Sequence, residues 1–162
     1  MIAPPGWRAV MVGRLGIAGA SVALYAAALA LPALDFNKST GERSIFAGWE
    51  VLLMGWYAVI SASNVGWLAN AFYVPGLVLM LAGQRRTAAV LGLLALAFGF
   101  HTLKLMGVTF DADEGGVKKM VLTRLDVGFV LWMTAMSAIV PGALLLKDPP
   151  PAPPQGGPFV RG

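Results

Sequence analysis

The chain has 162 residues, 57% of them hydrophobic and 12% charged, with a formal charge of +4, a pI near 9.8 and no cysteine. Soluble domains carry about 25% charged residues, so an ordinary globular core is excluded. Without cysteine there is no disulfide, thiolate metal site or cysteine nucleophile, and the Lys and Arg residues stand in ones and twos between apolar runs, as helix-end anchors do and nucleic-acid surfaces do not.

Several runs approach or exceed the ~18 nearly uncharged residues that mark a membrane helix. The alternation a β-barrel requires is absent. The expected class is all-α: a polytopic membrane helical bundle of four transmembrane helices plus a short interfacial or re-entrant helix, forming one domain over residues 1–147.

Residues Met1 to Arg14 form a basic head, and Leu15 to Leu34 is an uncharged run of spanning length. The same features fit a signal peptide, but the run is longer than a usual signal core and membrane-embedded sequence follows it. Gly16, Ala20, Ala23 and Ala27 make a small-residue stripe at helical spacing, a face on which another helix can pack closely. Asp35 to Ala47 is polar and reads as an aqueous loop.

The stretch Gly48 to Gly83 organises the rest. As one helix its 36 residues would extend ~54 Å, against a hydrocarbon core of ~30 Å. It must bend or hold two pieces, with a break near Asn64. In the first piece Glu50, Met54, Tyr57, Ser61 and Asn64 fall on one helical face, and Trp49, Trp56, Ile60, Ser63 and Trp67 on an adjacent one. Gly48 to Ser63 is read as an interfacial helix with its tryptophans at headgroup depth; the competing reading is a crossing that returns at once through Trp67 to Gly83. Residues 67–83 form a span interrupted by Pro75.

The basic turn Gln84-Arg85-Arg86 precedes the third span, at about 87–106, which carries a second small stripe, Ala88, Gly92, Ala95 and Gly99. Gly107 to Leu125 is the most charged segment and reads as an extramembrane loop. Residues 126–146 supply the last span, and the Pro- and Gly-rich tail 148–162 is expected to be disordered. Four crossings place both termini and the double-arginine turn on one side, and the positive-inside rule then places them in the cytoplasm. That rule has little grip here, because each side of the membrane carries six Lys or Arg.

Ionisable residues inside a membrane are functional candidates by default. Glu50, Tyr57, Asn64 and Asn70 could line a polar path. For Glu50 the competing role is at the positive end of its own helix, and for the asparagines it is hydrogen bonding between helices. His101 reads as a polar residue at a helix end, with Lys104 reaching the headgroups. Asp111, Asp113 and Glu114 match no complete calcium loop and read as a solvated turn. Ser61 and Ser63 have no basic partner nearby. No catalytic set, metal site or cofactor is expected; the expected partners are the bilayer and a membrane protein or second copy packed on the small-residue faces.

Gly48-Trp49-Glu50, Gly55-Trp56, Trp67-Leu68-Ala69-Asn70, Gln84-Arg85-Arg86 and Asp113-Glu114-Gly115-Gly116 together resemble a group of small bacterial four-helix membrane proteins, known mainly as hypothetical proteins. The resemblance covers roughly Gly48 to Leu146. In that group a proline follows the Trp-Leu-Ala-Asn run, whereas here Ala71 does and the proline comes at Pro75. The resemblance implies four helices and a bacterial inner-membrane location, and it transfers no mechanism. The function expected from the sequence is a non-enzymatic structural, accessory or partner-binding membrane component, with a small oligomeric transporter or channel as the alternative.

Overall fold

A computed structural model describes residues 7–111 and 115–145. The expected tail and the carboxylates Asp113 and Glu114 lie outside the described residues. The chain is mostly helical, at 68%. Its elements are α1 (Trp7–Ala30), β1 (Pro32–Lys38), β2 (Arg43–Ala47), α2 (Gly48–Ser61), α3 (Ala69–Leu81), α4 (Arg85–Phe100), β3 (Thr109–Asp111), β4 (Lys119–Leu125), α5 (Val127–Ser137) and α6 (Ile139–Leu145). Single 3₁₀ turns at Gly66–Leu68 and His101–Leu105 precede α3 and continue α4.

Three helical stretches are long and apolar enough to cross a membrane: Trp7–Ala30, Arg85–Leu105 and Val127–Leu145, of 24, 21 and 19 residues. Gly66–Leu81 is apolar but shorter. The last stretch is interrupted at Ala138, because Pro141 has no N–H to give the Ser137 carbonyl.

The packed pairs are α3 on α4, α1 on α5 and α4 on α6. At mid-bundle Ala69, Tyr73, Ala95, Met136 and Ile139 form a buried cluster, and nearer the chain start Ala18, Met80, Ala88, Ala89 and Ala143 form another. Gly92 is buried so tightly that an added Cβ would stand 3.0 Å from Val140 Cγ2 and 3.1 Å from Ile139 Cγ2. All four residues of the second stripe, Ala88, Gly92, Ala95 and Gly99, are buried.

The fold differs from an all-α bundle. The two stretches read as aqueous loops pair into a four-stranded antiparallel sheet of order β2-β1-β4-β3 at one end of the helices. The β1–β2 hairpin turns through Gly41 at φ +85°, a conformation that favours glycine. One sheet face brings Leu34, Phe36 and Leu122 onto Leu105, with Phe36 edge-on to Phe46 at 5.4 Å and to Phe110 at 5.9 Å. On the sequence these segments look like loops because charges separate short apolar runs; pairing across ninety residues lets each hide one face.

Two further corrections concern α1. It starts at Trp7 and ends at Ala30 rather than spanning Leu15 to Leu34, since Pro32 opens a strand and disfavours helix at Leu31. Its small stripe faces outward: Gly16, Ala20 and Ala23 are exposed, and the helix packs instead through Ala18, Ser21 and Ala28. Arg14 is buried beside Gly83, so the start of α1 and the α3–α4 turn share one end of the bundle. Arg85 belongs to the same end, donating to the carbonyls of Ala143 (2.9 Å) and Leu144 (2.6 Å) at the close of α6.

Candidate functional site

Helix α2 meets the sheet end of the bundle at both of its own ends. At its start Gly48 N–H donates to Leu31 O at 3.0 Å, and there is no room for a side chain at Gly48 against the Ala28 carbonyl. Just past its end, Asn64 Nδ2 donates to His101 O at 2.8 Å, beside the last turn of the α4 stretch. Midway, Trp67 Nε1 donates to Leu52 O at 2.7 Å. A 14-residue helix is ~21 Å long, too short for a ~30 Å core. The chain leaves it through Ser63 in the left-handed region (φ 48°), the break expected near Asn64.

No residue of α2 is buried. Trp49, Leu53, Met54, Trp56 and Tyr57 are all about half exposed or more, and Ile60 is 73% exposed. A helix apolar on this many faces is normally covered. On its inner side Val51, Gly55 and Ala58 border two voids. One, of about 100 Å³, lies toward the bundle against Tyr25, Trp67, Gly128 and Trp132. The other, of about 280 Å³, is a cleft between α2 and the sheet, walled by Phe36, Phe46, Met54, Phe110 and Met120.

The four candidate residues divide into two pairs. Glu50 and Tyr57 both line the larger cleft. Glu50 Oε2 also accepts from Ala47 N–H at 2.7 Å, tying down the first turn of α2, where the helix dipole favours its charge. Tyr57 is 59% exposed. Asn64 is 3% exposed and clamps the chain reversal, with its Oδ1 accepting from Gly66 N–H at 2.9 Å.

Asn70 joins three helices. Its Oδ1 accepts from Tyr25 Oη (2.9 Å) and Trp132 Nε1 (3.0 Å), and its Nδ2 donates to Trp67 O (3.0 Å). Tyr25 in turn stacks on Tyr73 at 4.9 Å. Ser21 Oγ donates to Ala135 O at 2.7 Å and so receives the Tyr73 hydroxyl at 2.9 Å. Asn64 and Asn70 line the smaller void and Glu50 and Tyr57 the larger cleft.

The remaining candidates separate as well. Ser61 Oγ donates to Tyr57 O within its own helix at 2.9 Å. His101 is half-buried; its Nδ1 is enclosed and meets no partner among the described residues. Asp111 pairs with Lys119 across the β3–β4 edge. Among the described residues no three His, Asp or Glu side chains gather closely enough to hold a metal.

Asp35 is 1% exposed on the inner strand β1 and salt-bridged to Arg43 on β2. Arg124 Nη2 on β4 stands 3.7 Å away and bonds Asp126 at 3.0 Å. The hydrogen bond that Arg43 donates to Asp35, then the Asp35 charge, holds the Arg43 guanidinium above its ordinary pKa. In a linear sequence Asp35 is one more loop charge; only the strand register Asp35↔Ile45 and Asp35↔Arg124 gives it partners.

No family model matches the chain, and no curated protein or solved structure does.

Proposed function

We propose that the protein is a non-enzymatic accessory component of a bacterial inner membrane, crossing it four times, with α2 lying in the interface and the sheet outside the bilayer. The observation that carries this reading is α2: an uncapped apolar surface of tryptophans, Leu53, Met54 and Ile60, anchored at both ends to the same end of the bundle. Tryptophan and tyrosine favour headgroup depth, and an interfacial helix buries such a face in lipid. Gly66–Leu81 then crosses as the fourth span, ~24 Å long, with the local thinning or side-chain reach that a short span requires. The termini and Arg85-Arg86 lie in the cytoplasm in this reading.

Cysteine labelling on this cysteine-free chain tests the placement. With an impermeant thiol reagent in intact cells, Gly115→Cys labels and Arg86→Cys labels only after permeabilisation; the reverse pattern overturns the orientation. A transport role draws support from the cleft that Glu50 and Tyr57 share. The commitment of Asn64 and Asn70 to neighbouring groups favours the accessory role. Proteoliposomes no leakier to protons or potassium than empty vesicles uphold that role, and a leak removed by Glu50→Gln replaces it with transport.

A further inference from the structure

We infer that the cleft between α2 and the sheet is a binding site for a single-chain amphiphile: a hydrocarbon chain seated among Phe36, Phe46, Phe110 and Met120, with a cationic amine head held by Glu50 and Asp111. The inference rests on the bilayer placement proposed above, since the ligand enters sideways from lipid.

Three observations converge. The first is the void itself. A space of about 280 Å³ is close to the lower end of small-molecule pockets, about 300–1,000 Å³. Its floor, formed by Phe36, Phe46, Phe110 and Met120, is apolar and of a chemistry that takes a hydrocarbon chain. The second is the lid. Helix α2 presents Val51, Gly55 and Ala58 to the void; Val51 packs on the Leu34, Phe36 and Leu122 cluster, and the short side chains at positions 55 and 58 leave the space beside it open. Met54 and Tyr57 line the cleft while remaining 64% and 59% exposed, which places them at its mouth, facing lipid. The third is charge. The charged residues that line the cleft, among those described, are Glu50 and Asp111, both acidic. A carboxylate offers about four acceptor sites, and the bond to Ala47 N–H uses one of those on Glu50. Asp111 shares its charge with Lys119, so the rim keeps an acidic excess that complements an ammonium group and repels a fatty acid. Chain and head are thereby both specified: an alkyl amine fits, a carboxylate of the same length does not.

The test uses the full chain in nanodiscs of phosphatidylcholine and phosphatidylglycerol. Dodecylamine, dodecanol and dodecanoic acid, each carrying a photoactivatable diazirine on the chain, are crosslinked, and the labelled residues are mapped by mass spectrometry. The amine is expected to label Phe110 and Met120 in the sheet at least about tenfold more than the acid, the discrimination of one charge-assisted contact, and excess unlabelled dodecylamine removes that label. Ala58→Phe, which fills the cleft from the lid, abolishes the label at Phe110 and Met120 while leaving it at the lipid-facing Val22 of α1. Glu50→Gln retains an acceptor for Ala47 and lowers the preference for amine over alcohol about tenfold. Equal labelling by all three probes, or labelling of the sheet that Ala58→Phe leaves unchanged, overturns the site. Absence of label at Val22 with every probe marks a different failure, that of the bilayer placement.

Discussion

The two ends of this molecule are packed in opposite ways. Toward the chain start, the bundle closes on glycine and alanine: Gly92 lies against Ile139 and Val140, Gly142 against Met80 and Ile17, and Arg85 closes the last turn of α6. Toward the sheet, α2 stands over two voids and has no buried residue. In lipid, helices gain little from the hydrophobic effect and associate by close contact and hydrogen bonds. Tight small-residue packing makes a rigid scaffold; under α2 it is confined to Gly48 against Ala28 and Gly55 against Trp67, and the rest of that inner side borders open space.

The comparison breaks first at Gly92. Leucine there has nowhere to go, and Gly92→Leu is expected to destabilise by about 3 kcal/mol and to reduce folded yield in mild detergent; an unchanged thermal midpoint would show that the bundle is as loose as the α2 end. Asn70→Leu comes next. It leaves the Tyr25 hydroxyl and the Trp132 indole N–H unpaired between helices, at about 2 kcal/mol, and the loss should appear as an altered near-ultraviolet tyrosine and tryptophan spectrum with helix content retained.

Arg43→Ala probes the sheet apart from the bundle. The buried Asp35 loses its nearest partner and keeps Arg124 at 3.7 Å. Because Arg43 is more than half exposed, water screens much of the loss, and the effect is smaller than at Asn70. Hydrogen exchange should quicken in β1 and β2 and stay slow in α4 and α5; uniform acceleration would mean that sheet and bundle unfold together. Ser63→Val forces a β-branched residue into the left-handed conformation and costs about 1 kcal/mol, with faster proteolysis at the α2–α3 junction as its readout. The smallest effect belongs to Ala58→Phe. In a filled core an added ring would cost several times more, but above the cleft it should shift stability by less than about 0.5 kcal/mol, and a large loss would show that α2 is packed after all.

Much of the helical framework was legible in the chain. The apolar runs near 67–83, 87–106 and 126–146 correspond to the helical stretches Gly66–Leu81, Arg85–Leu105 and Val127–Leu145. The small stripe on α4 was legible because every one of its positions faces a neighbour; the equally regular stripe on α1 was misleading, because periodicity identifies a face and does not say what lies opposite it. Glu50 and the asparagines stood out as polar residues in apolar sequence. Whether they shared a path depended on partners up to sixty-two positions away, such as Trp132 for Asn70. The sheet was hidden for the same reason: a strand of seven residues or fewer carries a weak local signal, and Asp35 becomes a buried charge only when β2 and β4 arrive on either side of it.

By itself the sequence determined that the chain carries helices long and apolar enough to cross a membrane, roughly where the later ones lie, and that Gly48 to Gly83 cannot be one span, because hydropathy, helix rise and proline chemistry are local properties. Tertiary structure alone decided that the charged segments form a sheet, that Asn70 joins three helices, and that α2 roofs a cleft with an acidic rim. Those features exist only between elements, in the registers and gaps that no single segment encodes.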